Sequence, residues 1–516
     1  MNADFDIAVV GSGFAGSLIA MIARRLGRSV VLIERGKHPR FAIGESSTPL
    51  ANLLLEELAL RYDLPQVASL SKWGSWQAAH PGTACGLKRG FTFFHHALGE
   101  TWQPRADRGN ELLVAASPHD RIADTHWFRP DFDAFLAGQA RRLGVELLEE
   151  TVLHSAEFSD SGATLAGRHA GQPWNIRARF VLDATGPRGF LHRMLGLPEA
   201  PLDGMPPTEG LYTHFAEVRR WDALHPSQEP PPYPVDDAAV HHVFDGGWIW
   251  VLRFNNGLTS AGVAATRATA EALNFAEGAP AWARLLDRLP SVRRQFEGAQ
   301  AVRSFVHAPR LSFRGATAAG DNWALLPAAA GFVDPLLSTG FPLTLLGVSR
   351  LAAALEQHWN SPRLAPALAN YSSQTLRELD TAAALVGALY AQMNDFEAFT
   401  VLTQLYFAAA SFAETARRLG RPELATEFLL MNRAPFAKAL RHCAEAAGQP
   451  LLEPARARFF QLITGAIEPI NVAGLGDAAR RNWYPALAAD LLAAAPKLGA
   501  ERAEIERLLA RCGFDL

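Results

Sequence analysis

Hydrophobic positions change their period three times along this chain. Near the start, the unbroken run Ile7-Ala8-Val9-Val10 meets a glycine, a helix-like stretch follows, and a second run, Val30-Val31-Leu32-Ile33, ends at Glu34. Short apolar runs bounded by turn residues read as strands buried on both faces of a parallel sheet. The same texture returns downstream. Val145-Glu146-Leu147-Leu148 follows a helical stretch from Phe132 to Leu143, and Phe180-Val181-Leu182-Asp183 leads into Ala184-Thr185-Gly186-Pro187. Together these predict a doubly wound α/β sheet. Between about Glu217 and Val306 the period falls to two, with strand patterns at His241 to Phe244, Trp248 to Phe254 and Thr259 to Ala264. The turn residues Asp245-Gly246-Gly247 and Asn255-Asn256-Gly257 between them predict hairpins. Asp222 to Pro234, rich in proline, predicts an exposed loop. From about Pro342 onward Ala, Leu, Arg and Glu recur at helical spacing, with breaks at Gly420 to Pro422, Gly448 and Gly474 to Gly476.

The first strand-to-helix junction carries the most chemistry. Gly11-Ser12-Gly13-Phe14-Ala15-Gly16 places glycines where a tight turn, a close backbone approach to pyrophosphate and close helix packing each need one. Its helix N-terminus offers unpaired N–H groups to phosphate. Glu34, at the end of the second strand, is placed to accept from a ribose 2′-hydroxyl. Gly11, Gly13, Phe14, Ala15, Gly16, Glu34 and Arg35 are therefore the candidate dinucleotide contacts.

Composition narrows the rest. The 516 residues are 49% hydrophobic, enough for two or three domains, and 49 basic against 52 acidic residues give no case for a nucleic-acid partner or an anionic membrane surface. Asp4 and Asp6 ahead of the first apolar run argue against a signal peptide, and Asp334 with several Gly and Pro residues interrupts the most apolar stretch, Trp323 to Val348. Cys85, Cys443 and Cys512 have neither metal nor redox spacing, which suits reduced thiols and a cytoplasmic protein. No metal site is expected, because the adjacent pairs His95-His96 and His241-His242 point to opposite faces of a strand. Nor does any serine sit in a nucleophile-elbow context.

Four more segments bear on the site. In Gly44-Glu45-Ser46-Ser47-Thr48-Pro49, Thr48 and Pro49 have the cap and first-turn pattern of a helix through Leu53-Leu54-Leu55 facing the cofactor. Glu45 could tune that cofactor or simply sit near a helix end. Arg129, opening the helix that contains Asp133, offers a cation. The turn after Asp183 brings backbone near a ligand. Gly331-Phe332-Val333-Asp334-Pro335-Leu336-Leu337-Ser338-Thr339-Gly340 runs into an apolar helix whose N-terminus could receive an anion.

Taken together these segments resemble the flavin-dependent halogenases, a branch of the FAD-dependent monooxygenases, and bacterial phenol halogenases most of all. The resemblance covers most of positions 5 to 350 and rests on the glycine fingerprint, Gly44 to Pro49, Cys85-Gly86-Leu87-Lys88-Arg89-Gly90-Phe91, Arg129 to Asp133, and Asp334 to Gly340. It implies an FAD-binding Rossmann-like doubly wound domain at 1–213 with inserted segments, an antiparallel-sheet substrate region at 214–310, a return to the FAD domain at 311–350, and a helical C-terminal region at 351–516. It implies FADH2 from a separate, transiently bound flavin reductase, chloride or bromide as co-substrate, and hypohalous acid delivered to a phenol-like ring by Lys88. Glu45 is the second catalytic candidate. Ser47, Thr48, Arg129, Asp183, Asp334 and Gly340 join the cofactor set, Ser338, Thr339 and Gly340 form the halide set, and Phe91, Phe93, Trp248 and Trp250 face the substrate. A monomer or homodimer is expected.

Lys88 also has a rationale of its own, since an ammonium can polarise hypohalous acid and a neutral amine can form a haloamine. It is expected on a half-buried strand facing a cleft, with Lys72 as the fallback. Three positions depart from the family pattern. Family members carry Trp-x-Trp-x-Ile-Pro, and this chain reads Trp248-Ile249-Trp250-Val251-Leu252-Arg253. That change favours the alternative, a monooxygenase or other FAD-dependent oxidoreductase on the same scaffold. The glutamate that tryptophan halogenases place before Ser-Thr-Gly is here Leu337, which argues against an indole substrate.

Overall fold

Two large sheets, packed through a shared core, organise the computed structural model, which describes residues 4–449 and 451–514. The first sheet is built on β1 (Phe5–Val10), whose apolar run pairs in parallel with β2 (Val30–Ile33) after the helix α1 (Phe14–Arg25). The next helix, α2 (Pro49–Arg61), starts at Thr48, whose hydroxyl accepts from Ala51 N at 3.2 Å. Pro49 takes its first turn, where a missing N–H costs nothing.

The chain then leaves this sheet. It forms the pair β3 (Cys85–Lys88) and β6 (Asp124–Trp127), with β4 (Gly90–His95) and β5 (Glu111–Ala115) between them in sequence. The helix α3 (Arg129–Arg142) leads back to β7 (Glu146–Leu148), parallel to β2. A hairpin, β8 (Thr151–Ser159) and β9 (Gly162–His169), precedes β10 (Gln172–Asp183), which pairs with β1 and with the short strand Trp323–Leu325. The expected strands at 145–148 and 180–183 are therefore present, the second as the end of a longer one.

The second sheet has nine strands. The predicted hairpins form its centre as β12 (Ala239–Phe244), β13 (Gly247–Arg253) and β14 (Leu258–Thr266), with β11 (Thr208–Ala216) antiparallel to β14. It is not purely antiparallel and does not lie within 214–310. β4 joins β12 in parallel, β5 joins β4, and Trp483–Tyr484 from the far C-terminus joins β5 in parallel. Strands of period two can pair either way, so the pattern could not show which distant segment fills an edge. Asp222 to Pro234 also differs from expectation. Its middle is exposed, but it begins within the short helix Trp221–Leu224 and its Tyr233 is buried, the hydroxyl donating to Phe91 O at 2.6 Å.

The C-terminal region is helical, led by α4 (Gly340–His358), α5 (Leu364–Ala391) and α6 (Phe396–Arg418), then α7 (Ala434–Ala447), α8 (Ala455–Ile467) and α9 (Arg502–Arg511). Gly420 and Gly448 fall at helix ends, Gly420 in the left-handed conformation at φ +76°. The stretch Leu336–His358 is long and apolar enough to span a membrane, yet 72% of its most apolar window is buried against the rest of the protein. It is a core helix.

Candidate active site

The C-terminal ends of β1, β2 and β10 lie level, Val10 pairing with Ile33 on one side and Asp183 on the other. Open α/β sheets bind ligands at such an edge. Gly11 has φ +100°, and a Cβ there would lie 2.6 Å from Ala184 O; a Cβ on Gly16 would lie 1.9 Å from Gly11 O. Both positions demand glycine, one for the left-handed turn and one for the approach of α1 to its own loop. Gly13 is the N-cap of α1 and provides no side-chain cap, so the first-turn N–H groups, those of Phe14 and Ala15 included, stand open to an anion.

Two guanidinium groups converge on that helix end. A Cβ on Gly13 would sit 3.4 Å from Arg129 Nη2 and 3.8 Å from Arg40 Nη2. Arg129 is fixed by two 2.8 Å bonds to Asp133 and by donation to Ile43 O and Gly44 O at 3.0 and 2.9 Å. Arg40, which carries no motif and escaped sequence reasoning, donates to Glu34 Oε2 at 2.8 Å. Burial raises the pKa of Glu34, but the Arg40 charge and the bonds from Gly36 N and Ser12 Oγ outweigh it and hold the carboxyl below its ordinary value. Arg35, one residue on, is exposed. An uncapped helix start, two cations and an ionised strand-end carboxylate suit the pyrophosphate and ribose of a dinucleotide such as FAD.

Other members of the proposed cofactor set face structural partners. Asp183 accepts from Thr185 N and Oγ1 at 2.8 and 2.6 Å and from Leu191 N at 2.6 Å, bracing the turn and the short helix that follows. Ser47 Oγ donates to Thr125 O at 2.7 Å, and Thr48 caps α2. Any ligand contact from these positions is left to their backbone.

Lys88 is not half-buried as expected but fully enclosed. The strand β6 lies between β3 and the segment Glu45 to Ser47, because His126 pairs with Gly86 on one edge and Ser46 on the other. From β3 the Lys88 ammonium donates to Ser46 Oγ at 2.8 Å and Ser47 O at 2.5 Å, and lies 3.8 Å from the centre of the Phe91 ring. Its cross-strand partner is Asp124, also buried. Burial drives the lysine down from its ordinary value while Asp124 opposes the fall; burial drives Asp124 up, with the Glu414 charge adding to the rise and Lys88 working against it. Each group is thereby pushed toward its neutral form. The neighbouring His126 and His241 are lowered by burial and by the lysine, so they add no charge. Glu45, beside this pocket, shares a 2.8 Å bond through Oε1 with His214 Nε2, while its buried Oε2 has no partner among the described residues. Lys72, the fallback, is a partly exposed ion pair with Glu56 at 2.5 Å.

The start of α4 reaches the same neighbourhood. Phe341 stacks on Trp127 with ring centres 4.4 Å apart and meets Phe14 edge-on at 5.1 Å. Just before it, Leu337 and Ser338 hold φ of +61° and +54°, followed by Thr339 at −64°. Successive residues of opposite hand, as at Ser338 and Thr339, are a backbone conformation in which anion-binding nests form. Asp334 holds this loop by accepting from Leu336 N at 3.0 Å, Trp248 Nε1 at 3.3 Å and Tyr390 Oη at 3.0 Å, and burial raises its pKa to about 7.

Phe91, Phe93, Trp248 and Trp250 do share one face of the second sheet, and that face is tightly packed. His241 stacks between them, 4.3 Å from Phe93 and 5.2 Å from Trp248, and Phe399 and Phe407 of α6 press on it edge-on. Sequence reasoning had considered His241 only as a metal ligand, although its period-two register with Ala239 and Val243 marks its face. Arg253 points the other way. It bonds Asp236 Oδ1 at 3.3 Å, Val218 O at 2.9 Å and Arg219 O, outside the aromatic face. The change from proline therefore leaves the face bearing Trp248 and Trp250 unaltered.

The family profile of FAD dependent oxidoreductases matches residues 6–324. Tetracycline 7-halogenase of Kitasatospora aureofaciens is 31% identical over 369 residues, 68% of this chain and 64% of that protein, so the match spans just under two thirds of that relative. Monodechloroaminopyrrolnitrin halogenase PrnC of Pseudomonas fluorescens is 28% identical over 409 residues, 78% of this chain and 70% of its own. Among solved structures, halogenase PltM in complex with phloroglucinol and FAD superposes with a TM-score of 0.82 at 26% identity, covering 93% of this chain and 99% of that one.

Proposed function

The chain belongs to the FAD-dependent oxidoreductase family, and from that premise we propose that it is a flavin-dependent halogenase. It installs chloride or bromide on an electron-rich, phenol-like aromatic. The observation that carries this reading is Lys88, a buried lysine held by Ser46 and Ser47 on the segment that runs from the dinucleotide crevice into α2. Solvated surface lysines have no reason to be desolvated, and burying one without a full counter-ion is expensive unless it can lose its proton.

Gly11 to Gly16, Glu34, Arg40 and Arg129 would hold the cofactor, received as FADH2 from a separate reductase. Bound there, it would supply the electrons with which oxygen and halide become hypohalous acid. The backbone N–H groups of Thr339 and Gly340 hold the halide. Lys88, favoured as the free amine by its burial, attacks the halogen: an N–X bond forms, the X–O bond breaks, and water leaves. The ring carbon then takes the halogen, the N–X pair stays on nitrogen, and the ring proton replaces the halogen there. Sparse, unpaired cysteines support a reducing, cytoplasmic setting.

The test is mass spectrometry of products formed with FAD, a flavin reductase, NADH, oxygen, bromide and a panel of phenols. A bromine isotope doublet that disappears in Lys88→Ala, with FAD binding kept, supports the reading. Products that carry only added oxygen sink it in favour of a monooxygenase.

A further inference from the structure

A cavity of about 520 Å³ lies between α2, β5, α6 and the C-terminal helix α9, and Phe91, Phe93, Trp248 and Trp250 are not among the residues that line it. It nevertheless adjoins Lys88 at two points. One wall is Val114, the cross-strand partner of Phe91, whose ring carries the lysine ammonium. Another is Asp124, the cross-strand partner of Lys88 itself. Directly opposite residues on paired strands stand roughly 5 Å apart. The cavity is thus one side chain away from the reactive nitrogen, and its volume suits a small aromatic.

Asp124 is an unusual residue to find at that position. Its Oδ1 accepts from Asn52 Nδ2 at 3.0 Å, while Oδ2 is buried and has no partner among the described residues. The cavity's other acids are mostly matched, Glu56 by Lys72, Glu57 by Arg417 and Glu414 by Arg418. A buried carboxylate oxygen without a donor is costly and calls for one.

Resting on the halogenase reading, we propose that Asp124 is a further catalytic residue, whose Oδ2 receives the hydroxyl of an acceptor phenol bound in this cavity. With Asp124 as the carboxylate, the phenolic proton moves to its Oδ2 as the ring carbon attacks the halogen on Lys88. The lysine nitrogen takes the ring proton, and Asp124 returns its own to the product oxygen. The phenol enters past Ser411 and Thr415 of α6, not across the packed aromatic face.

The experiment follows 4-fluorophenol and 4-fluoroanisole by 19F NMR on the FAD-loaded protein. At a pH above the value of about 7 to which burial raises Asp124, where its carboxylate is ionised, the wild type should bind the phenol about tenfold or more tightly than its methyl ether, the worth of a hydrogen bond to a charged group. Asp124→Leu, which removes the acceptor at similar volume, should erase that preference. Ser411→Phe, which fills the cavity at a residue away from the lysine, should exclude both ligands and keeps the test decisive if the aspartate variant misfolds. A preference that survives in Asp124→Leu, or binding untouched by Ser411→Phe, overturns the proposal. So does a wild type that makes hypohalous acid but shows no preference for the hydroxyl. Full hydroxyl preference without any halogenated product supports the Asp124 contact and overturns only the reaction assigned above.

Discussion

The dinucleotide crevice and the lysine pocket handle buried charge in opposite ways. In the crevice, Arg129 faces Asp133 and Arg40 faces Glu34 at 2.8 Å, and Glu34 is held ionised in spite of burial. In the lysine pocket, Lys88 and Asp124 stand opposite each other on paired strands, yet burial pushes both toward neutrality. The first arrangement keeps fixed charges for a ligand that is always anionic. The second keeps groups that can gain or lose a proton during turnover, which is what an amine nucleophile and a phenol base require.

The comparison is broken most severely at Lys88. Lys88→Arg retains a cation but can never present a free amine, so halogenated product should fall by about 10²-fold or more, a loss typical of a missing acid–base or nucleophilic group. Flavin fluorescence titration should show unchanged FAD affinity, because the crevice is untouched. In the wild type, the transfer rate should rise with pH to a midpoint below 10.5, the ordinary lysine value, since burial favours the free amine. A midpoint at or above that value would refute the amine role.

Gly11→Ala attacks the crevice instead. At φ +100° and 2.6 Å from Ala184 O, the added methyl should cost about 1–3 kcal/mol and move the loop that holds pyrophosphate. Thermal denaturation with and without FAD should show a lowered Tm and a lost FAD-dependent increment.

Glu34→Gln sharpens the contrast without moving the loop backbone. Its loss should be about 1–3 kcal/mol, since the bond to Arg40 is charge-assisted. With a folded pKa below 4.5, the wild-type carboxylate contributes stability that is complete above 4.5 and lost as pH falls through the folded value. Urea melts across acidic pH should therefore be steeper in pH for wild type than for Glu34→Gln. The smallest effect on the crevice is expected at Trp248→Phe, which removes one 3.3 Å bond to Asp334, worth about 1 kcal/mol before the cavity it leaves, and should leave FAD affinity unchanged. A large loss of FAD affinity there would show that the packed aromatic face belongs to the cofactor site after all.

Much of the crevice was legible in the sequence because its parts are local. Gly11, Gly13 and Gly16 sit within one strand-to-helix junction, and Gly11 and Gly16 answer contacts within a few residues of themselves or at the neighbouring strand end. The strands, their turns and the helix start at Thr48 follow from period and capping for the same reason. Arg40 was not legible, since nothing in its neighbours distinguishes it from a surface arginine. The role of Arg253 could not be judged from the motif that contains it, because only strand alternation with a known core shows that it faces away from Trp248 and Trp250.

The lysine pocket is the opposite case. Sequence by itself determined that a lysine lies beside glycines and aromatics on a strand, and that a dinucleotide crevice begins the chain, since both depend on interactions between near neighbours. Tertiary structure alone decided that Lys88 is enclosed, that Asp124 stands across from it, and that segments near 50, 114, 411 and 509 close a cavity that Asp124 lines. Strand registers and edge partners bring together residues hundreds of positions apart. Burial, which sets the charge of both groups, exists only once those segments have packed.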